Sequence, residues 1–371
     1  MLRNTIHNWE RRLAQRDTRR SVTGFDWGLE FLREPVASQR VAPGGVLGDT
    51  QWAVAGLERE EARQAVFEFN RQAIAESHRF FEARPISDYR LQEGWLSFTS
   101  AVRTPYAENN IAYGRYFPVA LKGAEKNGEA EHEIERARGR AVVVLPQWNA
   151  DINGHVALCN LLNRVGIASL RLSIPYHDRR LPAGCLRADY LVSPNVGRTL
   201  QGCLQAVLDT RASIDWLVER GYTRIGILGT SIGSCIGFLT LVHDKRLKVA
   251  VFNHVSSYFG DVVWRGLTTA HVRQGLEPAL NGEEVRKVWA AISPNSYVPL
   301  LESDERRCLM ISGRYDLSFT PELSEKLFEA CHRYDFNFDK ALLPCGHYSL
   351  GEAPFKYMAG YLIMNYFRRH L

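Results

Sequence analysis

The chain has 371 residues, 45% hydrophobic and 23% charged, with a formal net charge of +5. That length holds one large domain with additions, or two domains, and the mixture is that of globular proteins rather than disordered or fibrous ones. No apolar run reaches the roughly 18 residues that span a bilayer, so no integral membrane segment is expected, and so modest a charge gives no ground for a nucleic-acid partner.

Much of the positive excess falls early, at Arg3, Arg11, Arg12, Arg16, Arg19, Arg20, Arg33 and Arg40. Such a stretch could touch nucleic acid or an anionic membrane, but the plainer reading is a solvated extension or an arm packed on acidic groups. Residues 1–15 lack the apolar segment of a secretory signal. The seven cysteines are scattered and mostly sit among apolar neighbours, with no C-x-x-C pair or H-x-x-x-H spacing. They predict reduced core thiols, a cytoplasmic location, no cofactor and no metal site.

Residues 1–94 read as a largely helical extension. A helix is predicted over 59–81, with Val66, Ala73, Ile74, Ser77 and Phe81 on one face. Two strands follow, at 95–102 and 111–117, joined by turn residues at 105–110 as an antiparallel edge hairpin. Residues 122–140 are highly charged and predict a surface loop. The rhythm then changes to strand (141–145), helix (154–165), strand (167–172) and a long helix (196–220), with Gly221 as its C-terminal cap. Further strands are predicted at 249–253, 308–312 and 338–343, and further helices at 321–333 and 354–369. Alternation of this kind means an α/β fold: a mostly parallel, twisted sheet with helices on both faces, here spanning 95–371. Residues 257–306 interrupt it and read as a small helical cap, with a helix-like run at 283–292.

Residues 225–233 read I-G-I-L-G-T-S-I-G, an apolar β-branched strand running into Gly229-x-Ser231-x-Gly233. This is the nucleophile-elbow pattern, in which a serine on a strained strand-to-helix turn projects its hydroxyl off the sheet. A neutral hydroxyl is a feeble nucleophile, so Ser231 needs a base and a carboxylate to orient that base. Asp316 follows the strand at 308–312 through Gly313, and His347 follows the strand at 338–343 through Gly346. Each lies just past a strand end, in the chain order serine, acid, histidine. His254 is the reserve base, and Asp304, which precedes its strand, the reserve acid. For the oxyanion hole the expected backbone donors are Ile232 and, in the loop after the strand at 141–145, Trp148, with Gln147 in reserve.

The loop at 175–182 reads P-Y-H-D-R-R-L-P and is expected to open on the same rim. It supplies Tyr176, His177, Arg179 and Arg180 as candidate substrate contacts, the arginines suiting a carboxylate or phosphate or else pairing with an internal acid. Trp264 of the cap is a further candidate, as a pocket wall or as lid packing. Asp151 to Gly154 resembles the start of a calcium loop without its closing glutamate, and reads as a helix-capping turn.

With Ser231, Asp316 and His347 placed, the chain resembles an α/β-hydrolase from about residue 95 to the end. The P-Y-H-D-R-R-L-P loop, the long helix after it and the G-T-S-I-G elbow resemble the abhydrolase-domain-containing-18 type branch. The resemblance implies a Ser-Asp-His hydrolase and supplies no substrate. Two positions depart from the common pattern: Ser234 where a glycine often stands, and Pro146-Gln147-Trp148 in place of a His-Gly oxyanion sequence. The expected activity is hydrolysis of a small-molecule carboxylic ester or acyl substrate through an acyl-enzyme on Ser231. An amidase, peptidase or deacylase with the same residues, and a non-catalytic binding protein on this fold, are the alternatives.

Overall fold

The computed structural model of the chain describes residues 2–32, 59–119 and 139–371. Arg33, Arg40 and nearly all of the charged stretch 122–140 lie outside the described residues. Nine strands form one sheet: β1 (Arg90–Gln92), β2 (Trp95–Thr99), β3 (Ile111–Phe117), β4 (Arg140–Leu145), β5 (Ala168–Ser173), β6 (Arg224–Thr230), β7 (Leu247–Asn253), β8 (Arg307–Gly313) and β9 (Asp339–Leu343). Their spatial order is β1-β2-β3-β5-β4-β6-β7-β8-β9. The six strands from β5 to β9 are parallel, and β1, β2 and β3 form an antiparallel edge. The predicted hairpin of β2 and β3 is thus present, with the very short β1 paired outside it.

The central strands are apolar on both faces because both faces are covered. Val143 and Leu145 of β4 enter one core, and Val142 and Val144 enter the other. The period of two along the strand makes this division. The first core is closed by α4 (Val196–Glu219) and α5 (Ile232–His243), and the second by α3 (Val156–Arg164) and α10 (Phe355–His370).

Helix α4 buries Leu200, Cys203, Leu204, Val207, Leu208, Ile214 and Leu217. Val218, at the edge of that apolar stripe, is 43% exposed. The Asn195 side chain accepts the Arg198 N–H at 2.8 Å, and Gly221 follows the helix at φ 89°. The predicted helix over 59–81 is α2 (Arg59–Ala75), followed after Glu76 by a separate turn at Ser77–Phe80. Val66, Ala73, Ser77 and Phe81 are buried as the periodicity required, and Ile74 only half-buried.

Between β7 and β8 lie three short helices, α6 (Phe259–Arg265), α7 (Ala270–Leu276) and α8 (Gly282–Val288), with several 3-10 turns. Asn281 and Glu284 form a capping box at the start of α8, which ends four residues earlier than the predicted run and resumes as the turn Ala290–Ile292. α9 (Pro321–Arg333) opens with its proline in the first turn.

The N-terminal segment is laid on the sheet domain. It begins with α1 (Leu2–Ala14) and then runs to the start of α4, where the carbonyls of Asp26 and Trp27 accept the N–H groups of Val196 and Gly197, each at 2.9 Å. The first-turn donors of a helix have no partner within it, so this contact satisfies two of them. Gly28 at φ 60° permits the approach, since a Cβ there would lie 2.0 Å from Asn195 Oδ1. Leu29, Phe31 and Leu32 are buried beside it. All seven cysteines are unpaired.

Candidate active site

β6 ends at Thr230, and α5 begins at Ile232, leaving Ser231 alone on the turn. Its backbone sits at φ 58°, ψ −119°, a strained setting for a residue with a Cβ. The glycines on either side explain how so sharp a turn closes. A Cβ on Gly229 would lie 2.2 Å from the Gly233 oxygen, and one on Gly233 would lie 2.3 Å from the Leu145 oxygen. Strand, helix and the end of β4 therefore touch backbone to backbone. Ser231 N–H donates to Asn253 O at 2.8 Å. The Ser234 hydroxyl reaches both Gly229 O and Asn253 O at 2.8 Å, so the serine in place of a glycine ties the elbow to β7.

Ser231, His347 and Asp316 come together from three strand ends. Ser231 Oγ lies 3.2 Å from His347 Nε2, and His347 Nδ1 lies 3.2 Å from Asp316 Oδ2. Asp316 is 2% exposed, and its other oxygen accepts the N–H groups of Ser318 at 2.7 Å and Phe319 at 2.8 Å. Burial by itself would raise its carboxyl, but His347 and His254 beside it hold it well below the usual range. The His347 ring stacks on Phe319, with planes 7° apart and centroids at 5.2 Å. His254 Nδ1 lies 2.8 Å from the same Oδ2, so the reserve base touches the acid and not the serine. The side-chain N and O atoms of His254, Asp316 and His347 fall within 4.8 Å of one another, a closeness that the His347–Asp316 hydrogen bond and the His254–Asp316 contact account for. Asp304 stands at the opposite end of β8, paired with Arg306 and Lys245.

The loop after β4 is a tight turn, with Ala150 N–H donating to Gln147 O at 3.1 Å. His177 Nε2 accepts the Asn149 N–H at 2.8 Å, and its Nδ1 faces Pro175 O at 2.9 Å. Burial lowers His177 to about 4, so the ring stays neutral and the Nε2 acceptor persists. The Trp148 indole N–H donates to Ala188 O at 2.9 Å, its ring stacks on His271, and the Arg187 guanidinium sits over it at 5.3 Å.

The remainder of the 175–182 loop turns inward. Tyr176 is fully buried among aromatic side chains, its ring 5.8 Å from both Tyr106 and Tyr190. Arg180 is buried against Asp209 at 2.8 Å and donates to the carbonyls of Ser173 and Asn109. Arg179 lies outside, 4.2 Å over the Trp95 ring. Both lie on the 3-10 turn Asp178–Arg180, where successive side chains point about 120° apart, so the two arginines do not form one clamp. Trp264 packs against Arg273 and the start of α8. None of Tyr176, His177, Arg179, Arg180 and Trp264 lines either cavity at Ser231.

Those cavities flank the serine. One is small, about 40 Å³, with apolar walls from Val192, Ile232, Phe259, Val262, Val263 and Phe319. The other is wide, about 1080 Å³, and carries Arg20, Arg187, His155, His254 and His347 on its surface. Three features escaped the sequence. Glu10 of α1 is fully buried and accepts the N–H groups of Tyr348 at 2.9 Å and Ser349 at 2.7 Å, directly after His347. His155 bonds the Thr230 hydroxyl at 2.9 Å. Asp17 pairs with Arg187 above Trp148. No local motif marks such residues, since each acts on a segment far away in the chain.

No protein-family model and no curated protein matches the chain. Among solved structures it is similar to an acetyl xylan esterase from Paenibacillus sp. R4, at 16% identity and a TM-score of 0.53, over 82% of this chain and 94% of that one. It is also similar to an acylaminoacyl peptidase of Pyrococcus horikoshii, at 15% identity and a TM-score of 0.55. That match covers 79% of this chain but 43% of the peptidase, so the chain spans less than half of that relative. At such identities the likeness establishes the architecture: the chain has the α/β-hydrolase fold.

Proposed function

We propose that this protein is a serine hydrolase that cleaves small carboxylic esters through an acyl-enzyme on Ser231. The observation that carries the reading is the line of contacts from Ser231 Oγ to His347 Nε2 and from His347 Nδ1 to Asp316, each at 3.2 Å. Distances at the long end of the hydrogen-bond range still serve proton transfer, since such contacts tighten around a substrate. His347 takes the serine proton as Oγ attacks the carbonyl, and returns it to the leaving alcohol. Asp316 orients the ring and stabilises its charged form. Water then repeats the cycle on the acyl-enzyme.

The oxyanion is held by the N–H of Ile232, at the start of α5, and by that of Trp148. The Asn149 N–H is occupied by His177, whereas among the described residues the Trp148 N–H has no backbone acceptor. Gly233 presses α5 against the carbonyls of Leu145 and Pro146, which brings the two donors' segments together. Each such donor contributes roughly 3 kcal/mol to the transition state. The acyl group enters the apolar cavity and the alcohol the wide one.

Finer placement in the abhydrolase-domain-containing-18 type branch rests on the 175–182 loop and the elbow sequence. An acylaminoacyl peptidase shares the fold, so matched ester and amide substrates belong in the test. Fluorophosphonate labelling at Ser231 and turnover of p-nitrophenyl esters, both abolished in Ser231→Ala, are expected. A wild-type protein that neither labels nor turns over would refute the reading.

A further inference from the structure

Asp316 has more donors than the proposed mechanism uses. One oxygen takes two backbone N–H groups, and the other faces two imidazoles, His254 Nδ1 at 2.8 Å and His347 Nδ1 at 3.2 Å. The nearer ring is the one that is not bonded to Ser231. His254 is set there by the fold. It follows the last residue of β7, at φ 57°, and its own N–H donates to Ile311 O of β8 at 2.9 Å. Its ring lies 4.6 Å from His347 and 6.4 Å from Phe319. It is 2% exposed; its Nδ1 meets Oδ2 as a close contact out of line for a hydrogen bond, and its Nε2 has no hydrogen-bond partner among the described residues. The charged or titratable groups acting on it are Asp316, His347 and, from α1, Glu10.

We propose that His254 is a positioning residue that shares the Asp316 carboxylate with His347 and so limits how strongly Asp316 stabilises protonated His347. The inference rests on the reading of Ser231, His347 and Asp316 as the reacting set. Its physical basis is competition at one oxygen: a second N–H donor withdraws charge from Oδ2 and weakens the first bond. Burial favours the neutral form of His254 against the pull of Asp316. A neutral ring with its proton on Nδ1 sets that N–H dipole against Oδ2 and carries no second proton through the cycle.

The test compares His254→Phe, which fills the space without a donor, with His254→Asn, whose amide N–H stands near the place of Nδ1. The readout is the pH dependence of kcat/KM on a p-nitrophenyl ester, beside fluorophosphonate labelling and thermal melting. His254→Phe is expected to move the acid limb up by about half to one pH unit, and His254→Asn to return it toward the wild-type position. His254→Leu is read the same way if His254→Phe does not melt cooperatively. An acid limb unmoved in a labelled, folded donor-free variant overturns the inference and leaves the hydrolase reading intact. A shift that His254→Asn does not reverse also overturns it. Activity that survives His347→Asn but not His254→Asn would make His254 the base and overturn it as well. Wild-type protein that fails to label is the separate outcome, and it removes the hydrolase reading itself.

Discussion

The carboxylate of Glu10 accepts the backbone N–H of Ser349 at 2.7 Å, joining the first helix of the chain to the loop that carries His347. Its other oxygen takes the neighbouring N–H of Tyr348, and a Cβ on Gly346 would strike the same side chain at 2.4 Å. Glu10 is buried, and this loop supplies the backbone donors to both its oxygens. Glu10→Ala leaves two buried donors unpaired, at about 1–3 kcal/mol each. Displacement of a base by about 1 Å costs on the order of a hundredfold in rate. We expect kcat/KM to fall roughly 10- to 100-fold in Glu10→Ala and less in Glu10→Gln, which keeps one acceptor oxygen. Wild-type kcat/KM in a folded Glu10→Ala would show that the contact does not position the loop.

Gly233 has no room for a methyl group, because Leu145 O would lie 2.3 Å from it and Pro146 O 2.6 Å. Neither atom sits on a flexible side chain. Gly233→Ala is expected to destabilise the fold by about 3 kcal/mol or more, read as a lowered denaturation midpoint with an unchanged m-value. An alanine variant with wild-type stability and activity would contradict the observed closeness of helix and strand.

His177 gives a stability dependence on pH. Burial lowers it from 6.5 to about 4 in the folded chain. A depressed value means that the unfolded chain binds the proton first. The stability from this group is therefore complete above pH 6.5 and is lost as pH falls through 6.5 toward 4. The loss is up to about 3 kcal/mol, an order-of-magnitude figure. His177→Gln keeps an acceptor for the Asn149 N–H but does not titrate. Denaturation at pH 7 and at pH 4.5 should show a flatter decline in this variant, and equal slopes would refute the assignment.

Arg180 and Asp209 form an ion pair with both side chains fully buried. Removing one partner strands the other charge, at about 3–5 kcal/mol. Arg180→Met is therefore expected to lower the unfolding free energy by that amount, while KM of the folded fraction stays within about twofold. A raised KM at unchanged stability would instead return Arg180 to the role of substrate contact.

Val263 stands on the wall of the smaller cavity, together with Ile232 and Phe259. Val263→Phe fills that space. The ratio of kcat/KM for butyrate over acetate esters should fall about 10-fold or more, since each methylene in a matched apolar pocket contributes on the order of 1–3 kcal/mol. An unchanged ratio would place the acyl chain elsewhere.

Local pattern in the sequence settled a good deal. Strand and helix periods placed β4 through β9 and α4, because burial on one or both faces writes itself into residue spacing. The elbow was legible because its geometry requires glycines at fixed offsets from Ser231, and Asp316 and His347 because loops after parallel strands emerge on one edge. What the sequence could not reveal is where side chains meet across long separations. Arg179 and Arg180 are neighbours in the chain, yet one stacks on Trp95 outside and the other pairs with Asp209 inside. Glu10 reaches a loop 338 residues away, and His254 shares the acid of another strand. Those contacts depend on how the N-terminal segment and adjacent strand ends pack, and packing is decided by the whole core at once, so no short stretch of sequence records it.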